Sequence, residues 1–351
     1  MNHPHTHISI LKWSKRIATS LIATVAVILF AMLFVGLGKA TATSPVKFAA
    51  LGDFGATSDT TDVLERVAIE NPAFLLGLGD YTYGDLDEPD WCDFVTDSLG
   101  SIPFQLGIGN HDDRDEASTG HGDIEQLADC FTDQMSSDGN YPTQYAFDAG
   151  AARVIVTKMD IDLGGTEYTY WPEPPTSEFT WLDNEIDTAQ ANGQWVIVMT
   201  HKNCITASDN APYCEIRKKL MNYLLTEEVD LVLQGHFHGY GRSKQLKLNT
   251  TTCVSFSVAY DEDCHKLGSQ TNNHTTFNSG SGTLFAINGT GGKNLLPYDS
   301  AREEIPYFAK KWASNLNPKF GVTTVLVEDN KLTVKYIRTT GETDDNFTIN
   351  R

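Results

Sequence analysis

An α/β fold, with buried sheet strands and helices alternating along the chain, is what this sequence predicts, and three observations predict it. Short apolar runs rich in Val, Ile, Leu and Phe recur, stretches with helical spacing lie between them, and the carboxyl-terminal segment reads as a strand pair. In order, the strand candidates are 46–51 (VKFAAL), 73–78 (AFLLGL), 102–108 (IPFQLGI), 152–159 (ARVIVTKM), 195–200 (WVIVMT) and 229–234 (VDLVLQ). Their apolarity is near-continuous rather than alternating, the pattern of strands covered on both faces. Helices are expected over 59–70, 179–191 and 215–227, and in the last of these Ile216, Leu220, Tyr223 and Leu224 fall on one face. Further on, TTVLVED and KLTVKYI flank a turn at Asp329 and Asn330, which predicts an antiparallel hairpin. The polar stretches 112–141 and 261–282 read as long loops. Loops of that length in a compact domain usually serve function, so they are expected to rim a cleft, with surface insertions as the alternative.

The 351 residues are 40% hydrophobic and 21% charged, an ordinary globular composition. There are 26 basic against 46 acidic residues, a net charge of −20, and such a surface repels a phosphate backbone, so no nucleic-acid-binding face is expected. A local cationic centre can still hold a small anion. The first 16 residues carry Lys12, Lys15 and Arg16 without an acid, and Ile17 to Gly38 is uncharged, which is the pattern of an export element. Two outcomes stay open: cleavage near Ala40-Thr41-Ala42, or retention as a single membrane anchor with the basic end in the cytoplasm. Either way residues 1–42 are expected to be an export signal or signal anchor, and 43–351 one extracytoplasmic domain, secreted, periplasmic or anchored. That domain keeps 22 basic and 46 acidic residues, a charge of −24. It also holds all six cysteines, which in an oxidising compartment favours disulfides. Pairing by sequence neighbours (Cys92–Cys130, Cys204–Cys214, Cys253–Cys264) is one of about 15 connectivities. Glycosylation triplets stand at Asn249, Asn273, Asn288 and Asn346. Oligomeric state has no signature.

The informative pattern is where polar residues sit relative to the strands. Asp53 follows the first run, Asp80 and Tyr83 the second, Asn110 and His111 the third, His201 follows WVIVMT, and His236 and His238 follow LVLQG. In an open α/β sheet the carboxyl ends of the strands form the ligand crevice, so five strands deliver these side chains to one edge. Singly, each has a plainer explanation as a helix cap, a turn residue or a satisfied structural histidine. Together, oxygen and imidazole donors without thiolate pairs suit iron, zinc or manganese. Two aspartates, an asparagine, a tyrosine and three histidines exceed the needs of one ion, so a dinuclear site is expected, of the kind that activates water for phosphoester hydrolysis. A glycine before Asp53, Asp80, Asn110 and His236 lets the backbone turn sharply there.

The series Gly52-Asp53-Phe54-Gly55, Gly79-Asp80-Tyr81-Thr82-Tyr83, Gly109-Asn110-His111-Asp112, Val198-Met199-Thr200-His201 and Gly235-His236-Phe237-His238 resembles the five blocks of the calcineurin-like metallophosphoesterases. It is most similar to the small, single-domain purple (tartrate-resistant) acid phosphatases. The resemblance implies a four-layer α-β-β-α sandwich of two mixed β-sheets flanked by helices. It implies a ferric ion on Asp53, Asp80, Tyr83 and His238, with Asp80 bridging to a divalent Fe(II), Zn or Mn on Asn110, His201 and His236. Tyr83 would give the purple colour, and Tyr81 would serve packing. His111 would bind the scissile phosphate and donate a proton to the leaving oxygen, or else only orient Asp80. The implied reaction is attack by a metal-bound hydroxide on a small phosphate monoester at acid pH. A calcineurin-like phosphodiesterase or nucleotidase using Mn or Zn is the alternative at the same residues, and an exported binding protein on the same fold is the non-enzymatic one.

Overall fold

The computed structural model describes residues 43–351 apart from 114–121, 133, 136, 159–160, 164–165, 169–175, 209–213, 250, 253, 258 and 261–269. The leader expected over 1–42 lies outside the described residues, and among the described residues no helix is long and apolar enough to cross a membrane.

The first elements are β1 (Val46–Leu51), α1 (Ser58–Glu70), β2 (Leu75–Gly77), α2 (Glu88–Leu99) and β3 (Phe104–Gln105). Next come α3 (Ile124–Cys130), β4 (Ser137–Asn140), β5 (Gln144–Ala149), β6 (Ala152–Val156), and a small hairpin of β7 (Ile161–Leu163) and β8 (Thr166–Tyr168). They are followed by α4 (Ser177–Ala191), β9 (Trp195–Met199), α5 (Arg217–Thr226), β10 (Leu231–Gln234) and β11 (Tyr240–Ser243). The remaining strands are β12 (Thr276–Asn278), β13 (Leu284–Asn288), β14 (Phe308–Trp312), β15 (Gly321–Glu328), β16 (Lys331–Arg338) and β17 (Thr343–Asn350). Two large mixed sheets result, one ordered β12-β17-β16-β15-β1-β2-β3 and the other β14-β11-β13-β10-β9-β6-β5-β4. Parallel pairing runs through β1-β2-β3 and through β6-β9-β10-β13, while β15 and β16 form the expected antiparallel hairpin.

Strand alternation explains why the sheets stack. Phe48 and Ala50 of β1, Ile197 and Met199 of β9, and Leu231 and Leu233 of β10 join one buried cluster with Val325 and Val334, so residues of both sheets meet between them. Their neighbours Ala49, Leu51, Val196, Val198 and Val232 belong to a second cluster, together with Val63 and Val67 of α1, Ile186 of α4 and Leu220 of α5. Each strand is therefore covered twice, by the facing sheet and by helices, which is the layered α-β-β-α arrangement. Burying a side chain such as Phe48 or Leu231 contributes about 1.5–3 kcal/mol. Helix α1 starts one residue earlier than its expected span because Thr57 and Thr60 form a capping box. In α5 the buried face is Leu220, Met221, Leu224 and Leu225, with Ile216 buried just before the helix and Tyr223 at its margin, hydrogen-bonded to Asp183 at 2.8 Å.

The described parts of the stretches expected as loops hold more regular structure than their polarity implies. Within 112–141, Asp123 accepts from the backbone N–H groups of Glu125 and Gln126 and caps α3, and the exposed strand β4 pairs with β5. Within 261–282, β12 pairs with β17. Edge strands need only one partner, so polar sequences such as SDGN can form them. Helix α3 is tied to α2 by the disulfide Cys92–Cys130, and Cys204–Cys214 closes a second loop, two of the neighbour pairs expected. The third pair, Cys253–Cys264, lies outside the described residues. Closing a loop across a separation of 38 residues is expected to stabilise the fold by about 4 kcal/mol. Replacing Cys92 and Cys130 together by alanine should lower the denaturant midpoint accordingly, and an unchanged midpoint would refute the assignment. Asn288 is buried, and its side-chain amide donates to Ala50 O and Thr323 Oγ1 at 3.0 and 3.1 Å, so that triplet is not a glycosylation site in the folded chain.

Candidate metal centre

The carboxyl ends of β1, β2, β3, β9 and β10 deliver every residue singled out from the sequence to one edge of the stacked sheets. The loops after β1 and β2 continue to pair beyond the strands: Asp53 N donates to Gly79 O and Phe54 N to Asp80 O, at 3.0 and 2.9 Å. Asp53, Asp80, Tyr83 and His236 all have φ between 52° and 68°. Side chains other than glycine rarely adopt this left-handed region, and such strain gathers where the surroundings over-determine a site. Glycines make room for it. A Cβ on Gly109 would collide with the backbone N and Oδ1 of Asp80, and one on Gly79, at φ 90°, would lie 2.6 Å from Gly109 N.

Two groups of three potential ligands result, Asp53-Asp80-His238 and Asp80-His201-His236, with donor atoms in each group within 4.8 Å of one another. Asp80 belongs to both. Tyr83 Oη donates toward Asp53 Oδ1 and Asp80 Oδ2, each at 3.1 Å, and lies 2.8 Å from His238 Nε2. His238 Nε2 is 3.3 Å from Asp53 Oδ1, and His201 Nε2 is 3.2 Å from Asp80 Oδ2. The far nitrogens of these two rings face backbone carbonyls, His201 Nδ1 on Leu78 O at 2.6 Å and His238 Nδ1 on Asn294 O at 2.9 Å. A carbonyl can only accept, so Nδ1 carries the proton and Nε2 is turned toward the acids. Tyr81, by contrast, is fully buried in an aromatic cluster with Phe54, Trp91 and Phe104, its hydroxyl donating to Gly107 O at 2.7 Å.

The residues fit a pair of cations. Asn110 Oδ1 is buried without a hydrogen-bond partner, and an orphaned buried acceptor is costly unless something positive meets it. Burial alone would lower the His201 pKa, yet the Asp80 and Asp53 carboxylates push it up to about 9. Burial likewise raises Asp80, but His201, His111 and His236 hold it well below the carboxylate range. The cluster thus demands positive charge at the points where ions would sit, and metal binding would displace such protons. Burial and then Asp80 and Asp53 keep the Tyr83 phenol protonated when no ion competes for it.

His111 stands beside this cluster. Its backbone N, not its ring, donates to Asp80 Oδ1 at 2.8 Å, while the ring packs against Tyr83 with centroids 4.6 Å apart. Three neighbours have no role assigned from the sequence. Asp112 is buried and accepts from the backbone N–H groups of Asp80, Tyr81 and Gly109 at 2.8, 3.0 and 2.7 Å, locking the loops after β2 and β3 together. Its place directly after Asn110 and His111 was an available signal. Lys293 holds its ammonium 4.4 Å from the Tyr83 ring centroid and pairs with Asp85 at 3.1 Å. Glu215 Oε2 lies 2.7 Å from His236 Nε2, and nothing in its sequence context distinguishes it from the other acids.

A family model described as calcineurin-like phosphoesterase matches residues 46–240, more than half of the chain. An uncharacterized Mycobacterium tuberculosis protein is 31% identical over 219 residues, covering 57% of this chain and 40% of that protein. Purple acid phosphatase 21 of Arabidopsis thaliana is 26% identical over 210 residues, 58% of this chain and 46% of that enzyme. The chain thus spans less than half the length of these relatives. Among solved structures, the purple acid phosphatase PPD1 from yellow lupin seeds superposes with a TM-score of 0.62 at 16% identity, over 88% of this chain and 54% of that one. GAP50, described as the anchor in the inner membrane complex of Plasmodium, superposes with a TM-score of 0.53 at 13% identity, over 87% and 89%. At these identities the superpositions speak to the fold.

Proposed function

The chain belongs to the calcineurin-like phosphoesterase family, and from that premise we propose that it is a metal-dependent phosphatase hydrolysing small phosphate monoesters in the manner of an acid phosphatase. The observation that carries this reading is the pair of ligand groups sharing Asp80, which suits two ions side by side. Asp53, Asp80, Tyr83 and His238 would hold a ferric ion, and Asn110, His201 and His236 a divalent Fe(II), Zn or Mn, with Asp80 between them. When bound, such a pair supplies an activated water and neutralises charge on the phosphoryl group, and a ferric member acidifies water enough for work at low pH.

The chain's own residues do the rest. The carbonyls of Leu78 and Asn294 fix the His201 and His238 rings, and Asp112 holds the loops that carry Asp80 and Asn110. His111 would bind phosphoryl oxygens and hand a proton to the leaving oxygen. Lys202 and Lys293, both near the cluster, would offset the acidic surface for an arriving anion. Residues 43–351 would form the catalytic domain, residues 1–42 an export signal or anchor, and the two disulfides support an extracytoplasmic location.

The test is hydrolysis of an aryl phosphate monoester and its matching diester by the purified chain loaded with iron and zinc. Monoester turnover that dominates and peaks at acid pH is the expected result. Dominant diester turnover would move the chain to the phosphodiesterases, an alkaline optimum would remove the ferric ion, and no turnover of either ester would favour a binding role on this fold.

A further inference from the structure

Glu215 sits where the β9 loop turns into α5, and three contacts stitch that turn to the site. Its backbone N donates to Asn203 O at 2.8 Å, the side chain of Asn203 donates to Gly235 O at 3.1 Å, and the neighbouring Cys214 is bonded to Cys204. The Glu215 side chain is only 13% exposed, with Oε2 2.7 Å from His236 Nε2 and Oε1 3.9 Å from Lys202 Nζ. His236 differs in this from the other two histidines of the cluster. Their Nδ1 atoms face backbone carbonyls, whereas His236 turns Nε2 to a carboxylate. A carboxylate accepts the Nε2 proton, leaves Nδ1 as the ring nitrogen open to an ion, and makes the imidazole the stronger donor.

We propose that Glu215 is a positioning residue of the metal centre, which takes the Nε2 proton of His236 and so commits Nδ1 of that ring to the ion shared with Asn110 and His201. The proposal rests on the dinuclear reading above, and the disulfide beside Glu215 serves it by anchoring the turn. The metal-free full-length chain, titrated with Zn²⁺ alone against a chromophoric chelator, tests it. The unaltered chain is expected to bind two ions. Glu215→Met keeps the length and bulk but offers the ring only a weak, uncharged sulfur acceptor, and it should weaken the second ion by about 10–100-fold while sparing the first. Glu215→Ala should do the same if Glu215→Met proves unfolded by circular dichroism. Glu215→Gln keeps an acceptor oxygen and should stay close to the unaltered chain. Full affinity for the second ion in both Glu215→Met and Glu215→Ala would overturn the proposal, as would a loss in Glu215→Gln as deep as in Glu215→Met. The dinuclear reading fails differently: either the unaltered chain binds fewer than two ions or His236→Ala binds both undiminished, and the role of Glu215 falls with it.

Discussion

Asp80→Asn is expected to abolish two-ion binding and to lower turnover by at least about 10³-fold, equivalent to roughly 4 kcal/mol of barrier. The expectation follows from the position of Asp80 in both ligand groups. Its Oδ2 lies 3.1 Å from Tyr83 Oη and 3.2 Å from His201 Nε2, and an amide NH₂ turned toward them repels a cation instead of binding it. Asparagine is the informative replacement because Asp80 has φ 60°, a conformation asparagine tolerates, and because an amide oxygen still accepts from His111 N. The fold should therefore survive, as circular dichroism can show. Metal analysis together with initial rates decides the matter: a variant that keeps two ions and full turnover removes Asp80 from the centre.

The second large effect concerns colour. Iron-loaded protein is expected to absorb in the visible through the Tyr83 phenolate, and Tyr83→Phe should lose that band entirely while Tyr81→Phe keeps it. The two tyrosines stand two residues apart yet face different surroundings. Phenylalanine at 83 preserves the ring that packs on His111 and Lys293 and deletes only the oxygen near Asp53, Asp80 and His238. Phenylalanine at 81 leaves the buried Gly107 carbonyl without that partner and should cost about 1–3 kcal/mol of stability without touching the colour. Retention of the band in Tyr83→Phe, or its loss in Tyr81→Phe, would overturn the assignment.

How far the fold was legible depended on how completely a segment is buried. The strands β1, β9 and β10 are covered on both sides, so their sequences are largely apolar runs, interrupted only by Lys47 and Gln234, and their positions follow directly. Helix α2 escaped notice because its sequence, EPDWCDFVTDSL, is acidic on its open side and buries only Trp91, Cys92, Val95 and Leu99. Helix α3 has seven residues, too few for a period to show. The candidate ligands were legible because each follows a strand end, where topology converts sequence order into proximity. Glu215 was not, because its partner His236 is 21 residues away and the approach depends on how the segment after β9 folds against the end of β10. Hydrogen bonds between side chains of separate loops leave no periodic mark in a sequence.

The division of the candidate ligands between the two sheets has a mechanical consequence. Asp53, Asp80, Tyr83 and Asn110 extend from β1, β2 and β3 of one sheet, and His201, His236 and His238 from β9 and β10 of the other. Ions held by all of them would act as rivets across the seam between the layers. Anything that slides one layer on the other would loosen both rivets at once, and loading them would stiffen the whole sandwich, because ligands that bind only the native state shift the folding equilibrium by mass action. Metal supply would then set the lifetime of this chain as well as its chemistry.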